Sequence, residues 1–127
     1  MFILDTSVLV DIERGNPQVV DYIKSLRQDC TEPPCITFAT LSEYLIGILK
    51  TRKHFDISEI ESIYPILHST TPICKLFAEL KISLQKRGIT IGDFDILIAA
   101  TAMANGKTLV TLDKDFKKIE NLKVICL

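Results

Sequence analysis

Short apolar runs that break off at polar residues and give way to helical segments recur along this chain, and that alternation constrains its fold more than any other feature. "FIL" reads as a first strand, and "TSVLVDIERG" follows as a short helix ended by Gly15. Pro17 starts a second helix through about Gln28, "TEPP" is a loop, and "CITF" is a second strand. A helix from about Ala39 to Lys53 comes next, then one over roughly Ile57 to Tyr64 and a strand near "ILHST". Pro72 opens and Gly88 closes a further helix, which places Leu76, Leu80 and Leu84 on one face. The loop "GITIG" leads into the apolar helix "DFDILIAATAMANG", and "KTLVT" and "LKVICL" are late strands separated by the polar turn "LDKDFKKIEN". Strands alternating with helices predict an α/β fold, a parallel sheet with helices on both faces, formed as one domain over residues 1–127. In such sheets ligands bind beyond the carboxyl ends of the strands.

Composition narrows the function classes. An apolar fraction of 47% is high for 127 residues, which points to a rich core or to apolar surface covered by a partner, an oligomer first of all. The longest apolar run, "ILIAATAMA", falls well short of the roughly 20 residues that span a bilayer. Asp5 interrupts the amino terminus before a signal peptide could form, so a cytoplasmic protein is expected. A net charge of -1 excludes a strongly basic protein that wraps phosphates, while leaving room for a local basic patch. Cys30, Cys35, Cys74 and Cys126 lack CxxC spacing and are expected to be buried free thiols, with a Cys30–Cys35 disulfide reserved for an oxidising setting.

The positional rule for parallel sheets makes the acids informative. Asp5 follows "FIL", Glu43 lies early in the helix after "CITF", and Asp113 comes two residues after "TLVT", so all three are placed at one sheet edge. Asp5 could instead cap the following helix, a role worth about 1 kcal/mol, though Thr6 and Ser7 could do that without a charge. Glu43 lies nearly opposite the stripe Leu41, Tyr44, Leu45, Ile48 and Leu49, on a face with Thr40 and Gly47 that is small and polar enough to line a cleft. Asp95 stands in the first turn of a helix that is apolar on nearly every side; Asp93 is expected to be its N-cap, leaving Asp95 as the functional acid. Asp113 and Asp115 could be ordinary turn acids, Asp113 capping a short helix, and Thr111 could orient a water or a phosphate oxygen.

Several anions at one edge need a cation. Two unit charges ~4 Å apart repel by about 4 kcal/mol at an effective dielectric of ~20. Oxygen ligands without His or Cys select Mg²⁺ or Mn²⁺, whose common task in such sites is phosphoryl chemistry.

In "ILDTSVLVD", "TLSEYLIG", "IGDFDILIAATA" and "GKTLVTLDKDF", taken in order, the sequence resembles the PIN-domain ribonucleases, and in particular the VapC-type toxins of type II toxin–antitoxin pairs. That resemblance implies a three-layer α/β/α sandwich with a central parallel sheet. It also implies Mg²⁺- or Mn²⁺-dependent endonucleolytic hydrolysis of RNA, with Asp5, Glu43, Asp95 and Asp113 as metal ligands and catalytic acids. Thr6, Ser7 and Thr111 would be supporting groups. A homodimer and a cognate antitoxin that occludes the site are implied as partners. Ser7 stands where the family often has Asn, and Asp93 occupies a variable position that carries no role beyond capping or support.

Basic residues at the rim would guide a single-stranded RNA, the candidates being Lys50, Arg52 and Lys53 in "KTRKH" and Lys114, Lys117 and Lys118 in "DKDFKK". A non-catalytic PIN-like module that binds RNA or protein is the alternative, but four mutually repelling acids serve no purpose there. An aspartate phosphatase is disfavoured because "DTS" replaces its DxD, and no Gly-rich phosphate loop is present.

Overall fold

The computed structural model describes residues 2–51 and 54–127. Strand β1 (Phe2–Leu4) leads into α1 (Thr6–Glu13) and α2 (Pro17–Gln28), and β2 (Ile36–Thr37) into α3 (Phe38–Thr51) and α4 (Ile57–Ile63). Then follow β3 (Ile66–Leu67), α5 (Thr71–Lys86), α6 (Asp93–Ala104), β4 (Thr108–Thr111), a 3₁₀ turn (Lys114–Lys118) and β5 (Val124–Cys126).

The strand pairings among the described residues are all parallel. β1 pairs with β4, setting Leu4 opposite Val110, β4 pairs with β5, and β2 pairs with β3. The two ladders are joined at Ile3 and Cys35, where the Cys35 N–H donates to the Phe2 carbonyl at 2.8 Å and the Leu4 N–H to the Cys35 carbonyl at 2.9 Å. The resulting order is β3-β2-β1-β4-β5. The chain builds outward from β1 in one direction and later from β4 in the other, so the topological switch point lies between β1 and β4. A crevice beyond their carboxyl ends is the preferred ligand position in such sheets.

The period-two alternation of the strands divides the core in two. Ile3 and Leu109 point to the side of α5 and α6, where they join Leu84, Ile98, Ala99 and Ala102. Leu4, Val110 and Ile36 point to the other side, against Val8 and Leu9 of α1, Val19 and Ile23 of α2, Tyr44 and Ile48 of α3, and Ile60 of α4. The molecule is therefore a three-layer α/β/α sandwich, as expected. Helix α6 is buried from Ile98 through Ala102 and packs on α5, α3 and β4; its alanines allow that close approach from several sides.

Several boundaries moved for identifiable reasons. "CITF" is a strand over Ile36–Thr37 only, because the Thr37 hydroxyl accepts the Thr40 N–H at 3.0 Å and turns the chain straight into α3. The "ILHST" strand is likewise only Ile66–Leu67. The polar turn "LDKDFKKIEN" contains the 3₁₀ turn, held by buried Phe116 and followed by buried Ile119. Gly15 and Gly88 do end α1 and α5, at φ of +71° and +69°, where a side chain would be strained. The expected end of α3 at Lys53 lies outside the described residues. Of the four thiols, all free, Cys35 is buried, Cys74 is exposed, and Cys30 and Cys126 are partly covered, so the expectation of burial holds only for Cys35. Among the described residues no helix is long and apolar enough to cross a membrane.

Candidate active site

The carboxyl end of β1 delivers Asp5 into the crevice between β1 and β4, where it is only 3% exposed. Its extended backbone makes it the N-cap of α1, and Oδ1 accepts the Thr6 N–H at 2.8 Å. Oδ2 accepts two hydroxyls, from Ser7 at 2.9 Å and from Thr111 at 2.7 Å. Capping and site membership are therefore not alternatives for Asp5. The two hydroxyls occupy Oδ2, so the remaining acceptor capacity is greater on Oδ1.

Glu43 arrives from α3, half-buried, with Oε1 accepting the Thr6 hydroxyl at 2.9 Å. Thr6 was expected to support Asp5 with that hydroxyl. Instead its hydroxyl serves Glu43 and only its N–H serves Asp5, which ties the two acids together through one residue. Burial pushes the Glu43 carboxyl up, the Thr6 hydrogen bond opposes this, and the Asp5 charge adds to it.

Asp95 comes from the first turn of α6. Its carboxyl is pushed up to about 7, first by burial and then by the charges of Asp5, Glu43, Asp113 and Asp115. One carboxylate oxygen from each of Asp5, Glu43 and Asp95 lies within 4.8 Å of the others. All donors are oxygens, as a hard divalent cation requires. Asp95 has no hydrogen-bond donor among the described residues to offset its charge, so the residues present fit such a cation.

Asp113 does not join that trio. Its Oδ1 accepts the Asp115 N–H at 2.9 Å, capping the 3₁₀ turn, and its own N–H donates to the Thr111 hydroxyl at 3.0 Å. It is close enough that its charge acts on Asp95. The Thr111 hydroxyl, read as free to orient a water, spends its proton on Asp5. The Ser7 hydroxyl likewise accepts the Leu112 N–H at 3.2 Å. Two hydroxyls thus bridge Asp5 to the backbone of the segment that carries Asp113.

Asp93 is not the N-cap of α6. The extended position falls at Gly92, with no side-chain cap, and Asp93 is already helical. Its carboxylate pairs with Lys81 of α5. Asp115, read as a plain turn acid, contributes to the field at Asp95, and its i, i+3 spacing to Lys118, an ion pair at 2.8 Å, was the available signal. The Thr37–Thr40 pair, hydroxyls 2.9 Å apart, is buried, and its sequence signal is a Thr three residues before another at a helix start, a recognisable cap.

The sequence profile of the PIN domain matches residues 2–122, a span that contains every acid described above. The chain belongs to the PIN-domain family. Ribonuclease VapC1 of Rickettsia felis is 32% identical over 131 residues, covering 97% of this PIN domain and 93% of the relative. Ribonuclease VapC of Rickettsia bellii is 31% identical over the same length and shares. Among solved structures, VapBC2 from Rickettsia felis, bound to a DNA fragment from its promoter, matches with a TM-score of 0.86 at 26% identity, covering 99% of this PIN domain and 98% of that chain.

Proposed function

We propose that this PIN domain is an endoribonuclease that hydrolyses RNA phosphodiester bonds with Mg²⁺ or Mn²⁺, as the toxin of a toxin–antitoxin pair. The observation that carries the reading is the meeting of Asp5, Glu43 and Asp95 at the sheet's switch point, in a chain whose relatives bear the name ribonuclease VapC. A cation held there would polarise a phosphate oxygen and lower the pKa of an attacking water. Asp5 and Asp95 would be its most direct ligands. Glu43, steadied by Thr6, and Asp113, fixed at the head of the 3₁₀ turn, would orient the attacking water and receive its proton. Ser7 and Thr111 hold Asp5 in place by hydrogen bonds, and Asp93 stands outside the chemistry, paired with Lys81.

Single-stranded RNA is the preferred substrate, because a net charge of -1 is too balanced for extensive duplex contacts. Ile46 and Leu49 of α3 and Ile57 and Ile63 of α4 remain exposed, Leu49 at 61% and Ile63 at 54%. Apolar exposure of this kind supports covering partners, a cognate antitoxin and a second copy of the chain.

The test is cleavage of single-stranded RNA with Mg²⁺ or Mn²⁺, with and without EDTA, beside Asp5→Asn and Asp95→Asn. Each substitution is expected to slow cleavage about 100-fold or more, as loss of a principal electrostatic element does. If both variants cut as fast as the parent at equal folded concentration, the assigned site is wrong.

A further inference from the structure

A nuclease site built from acids must also hold a polyanion. Asp5, Glu43, Asp95, Asp113 and Asp115 form one negative field, and a cation at the centre offsets it for the reacting phosphate only. The flanking phosphates need fixed cations close by. The 3₁₀ turn after β4 offers them, in an arrangement set by its own geometry.

With three residues per turn, the 3₁₀ turn sorts its side chains into three columns. Phe116 and, just past the turn, Ile119 form one column and are buried in the core beneath α5 and α6. Asp115 and Lys118 form the second and pair at 2.8 Å, with the Asp115 charge felt at Asp95. Lys114 and Lys117 form the third. Both are exposed, and neither has an ion-pair partner among the described residues. The buried column prevents the turn from rolling, and the Asp113 cap fixes its start. The Asp113 N–H donates to the Thr111 hydroxyl, which donates to Asp5, so the turn starts beside the acid cluster, with about 6 Å of rise between its exposed Lys114 and Lys117.

We propose that the 3₁₀ turn is the phosphate-tracking edge of the RNA site, with Lys114 and Lys117 contacting successive backbone phosphates of a single strand and Lys118 paired with Asp115. This rests on the ribonuclease reading and adds to it the direction in which the strand leaves the site. Of the expected rim cations, Lys50 lies on α3, and Arg52 and Lys53 lie outside the described residues. Lys81 is taken up by Asp93.

Equilibrium binding of a fluorescein-labelled single-stranded RNA in EDTA, over a range of salt, tests this without cleavage. Each phosphate contact to a single strand adds about 0.7 to the slope of log K against log salt. The double variant Lys114→Gln/Lys117→Gln is expected to lower the slope by about 1.4, while Lys24→Gln on α2, also an exposed lysine, leaves it unchanged. With Mn²⁺ present, the double variant is expected to raise KM for RNA while kcat at saturation stays near the parent's. An unchanged slope, or an equal fall for Lys24→Gln, overturns the proposal, the latter by making it bulk charge. RNA cleavage by the parent is scored separately. A parent that binds RNA, with the expected fall in slope for the double variant, yet never cuts sinks the nuclease reading and leaves the edge standing, and a parent that binds no RNA sinks the edge.

Discussion

Asp95 shows how one side chain's setting generates a measurable property. Without a cation, its folded carboxyl titrates near 7, because burial and the neighbouring acids disfavour the charge, whereas in the unfolded chain it titrates near ~3.9. Below ~3.9 both states hold the proton and stability is unaffected by pH through this group. Between the two values the folded state holds the proton and the unfolded state does not, so stability falls as pH rises, and the fall ends above about 7. Glu43, also raised, acts in the same direction. Metal-free protein in EDTA is thus expected to lose stability from pH 4 to pH 7, by on the order of 1 kcal/mol through Asp95 after discounting for its partial solvation. Asp95→Asn removes that part of the slope. Urea midpoints measured at several pH values would settle it, and identical slopes for parent and variant would contradict the assignment. The placement of Asp5, Glu43 and Asp95 at one edge was legible in the sequence, because strand ends and an all-apolar helix are local patterns. The hydroxyl assignments were not: whether Thr6 serves Asp5 or Glu43 depends on where α3 stands relative to α1, a tertiary fact with no trace in local sequence.

At the scale of elements, the 3₁₀ turn illustrates what periodicity misses. Read as a polar turn, "LDKDFKKIEN" carries one aromatic that looks incidental, yet Phe116 is 1% exposed and anchors the segment that presents Asp113 and the rim lysines. Phe116→Ala should cost about 3–5 kcal/mol of stability, as large-to-small core changes do, whereas Lys114→Gln should cost almost nothing. Chemical denaturation of the two variants checks this, and a Phe116→Ala loss below 1 kcal/mol would place that ring at the surface. Two strands are shorter than their composition suggests for a similar reason. "CITF" has the composition of a longer strand, but the Thr37 hydroxyl captures the Thr40 N–H and starts α3 at once. By type Asp93 is the better cap, since Asp caps a helix better than Gly; the chain's extended conformation nevertheless falls at Gly92, and Asp93 answers to Lys81 on a different helix.

Across the whole molecule, the parallel sheet followed from the alternation of elements, but its order did not, since alternation is equally compatible with other arrangements of five strands. The order β3-β2-β1-β4-β5 is what sets the carboxyl ends of β1 and β4 side by side, and with them Asp5, Thr111 and the Asp113 segment. The acids come from β1, α3, α6 and the turn after β4, which belong to all three layers, so the repulsion between them opposes docking of the layers as well as ionisation. A divalent cation bound by this cluster should therefore stabilise the entire fold. Binding to the folded state alone contributes RT ln(1 + [L]/Kd), about 2.7 kcal/mol at a hundredfold excess over Kd. Melting in EDTA against a Mn²⁺ series is expected to raise Tm progressively, by on the order of 5–15 °C at that excess. Asp5→Asn and Asp95→Asn should each shift the curve to higher Mn²⁺ concentrations. Because Asp95→Asn relieves repulsion and breaks no hydrogen bond among the described residues, its Tm in EDTA should equal or exceed the parent's, a reversal that general damage to the fold would not produce, whereas Asp5→Asn also loses acceptor capacity for the Ser7 and Thr111 hydroxyls and should melt lower. Variants that melt early in EDTA yet respond to Mn²⁺ like the parent would mean that these acids serve the structure and that the cation binds elsewhere.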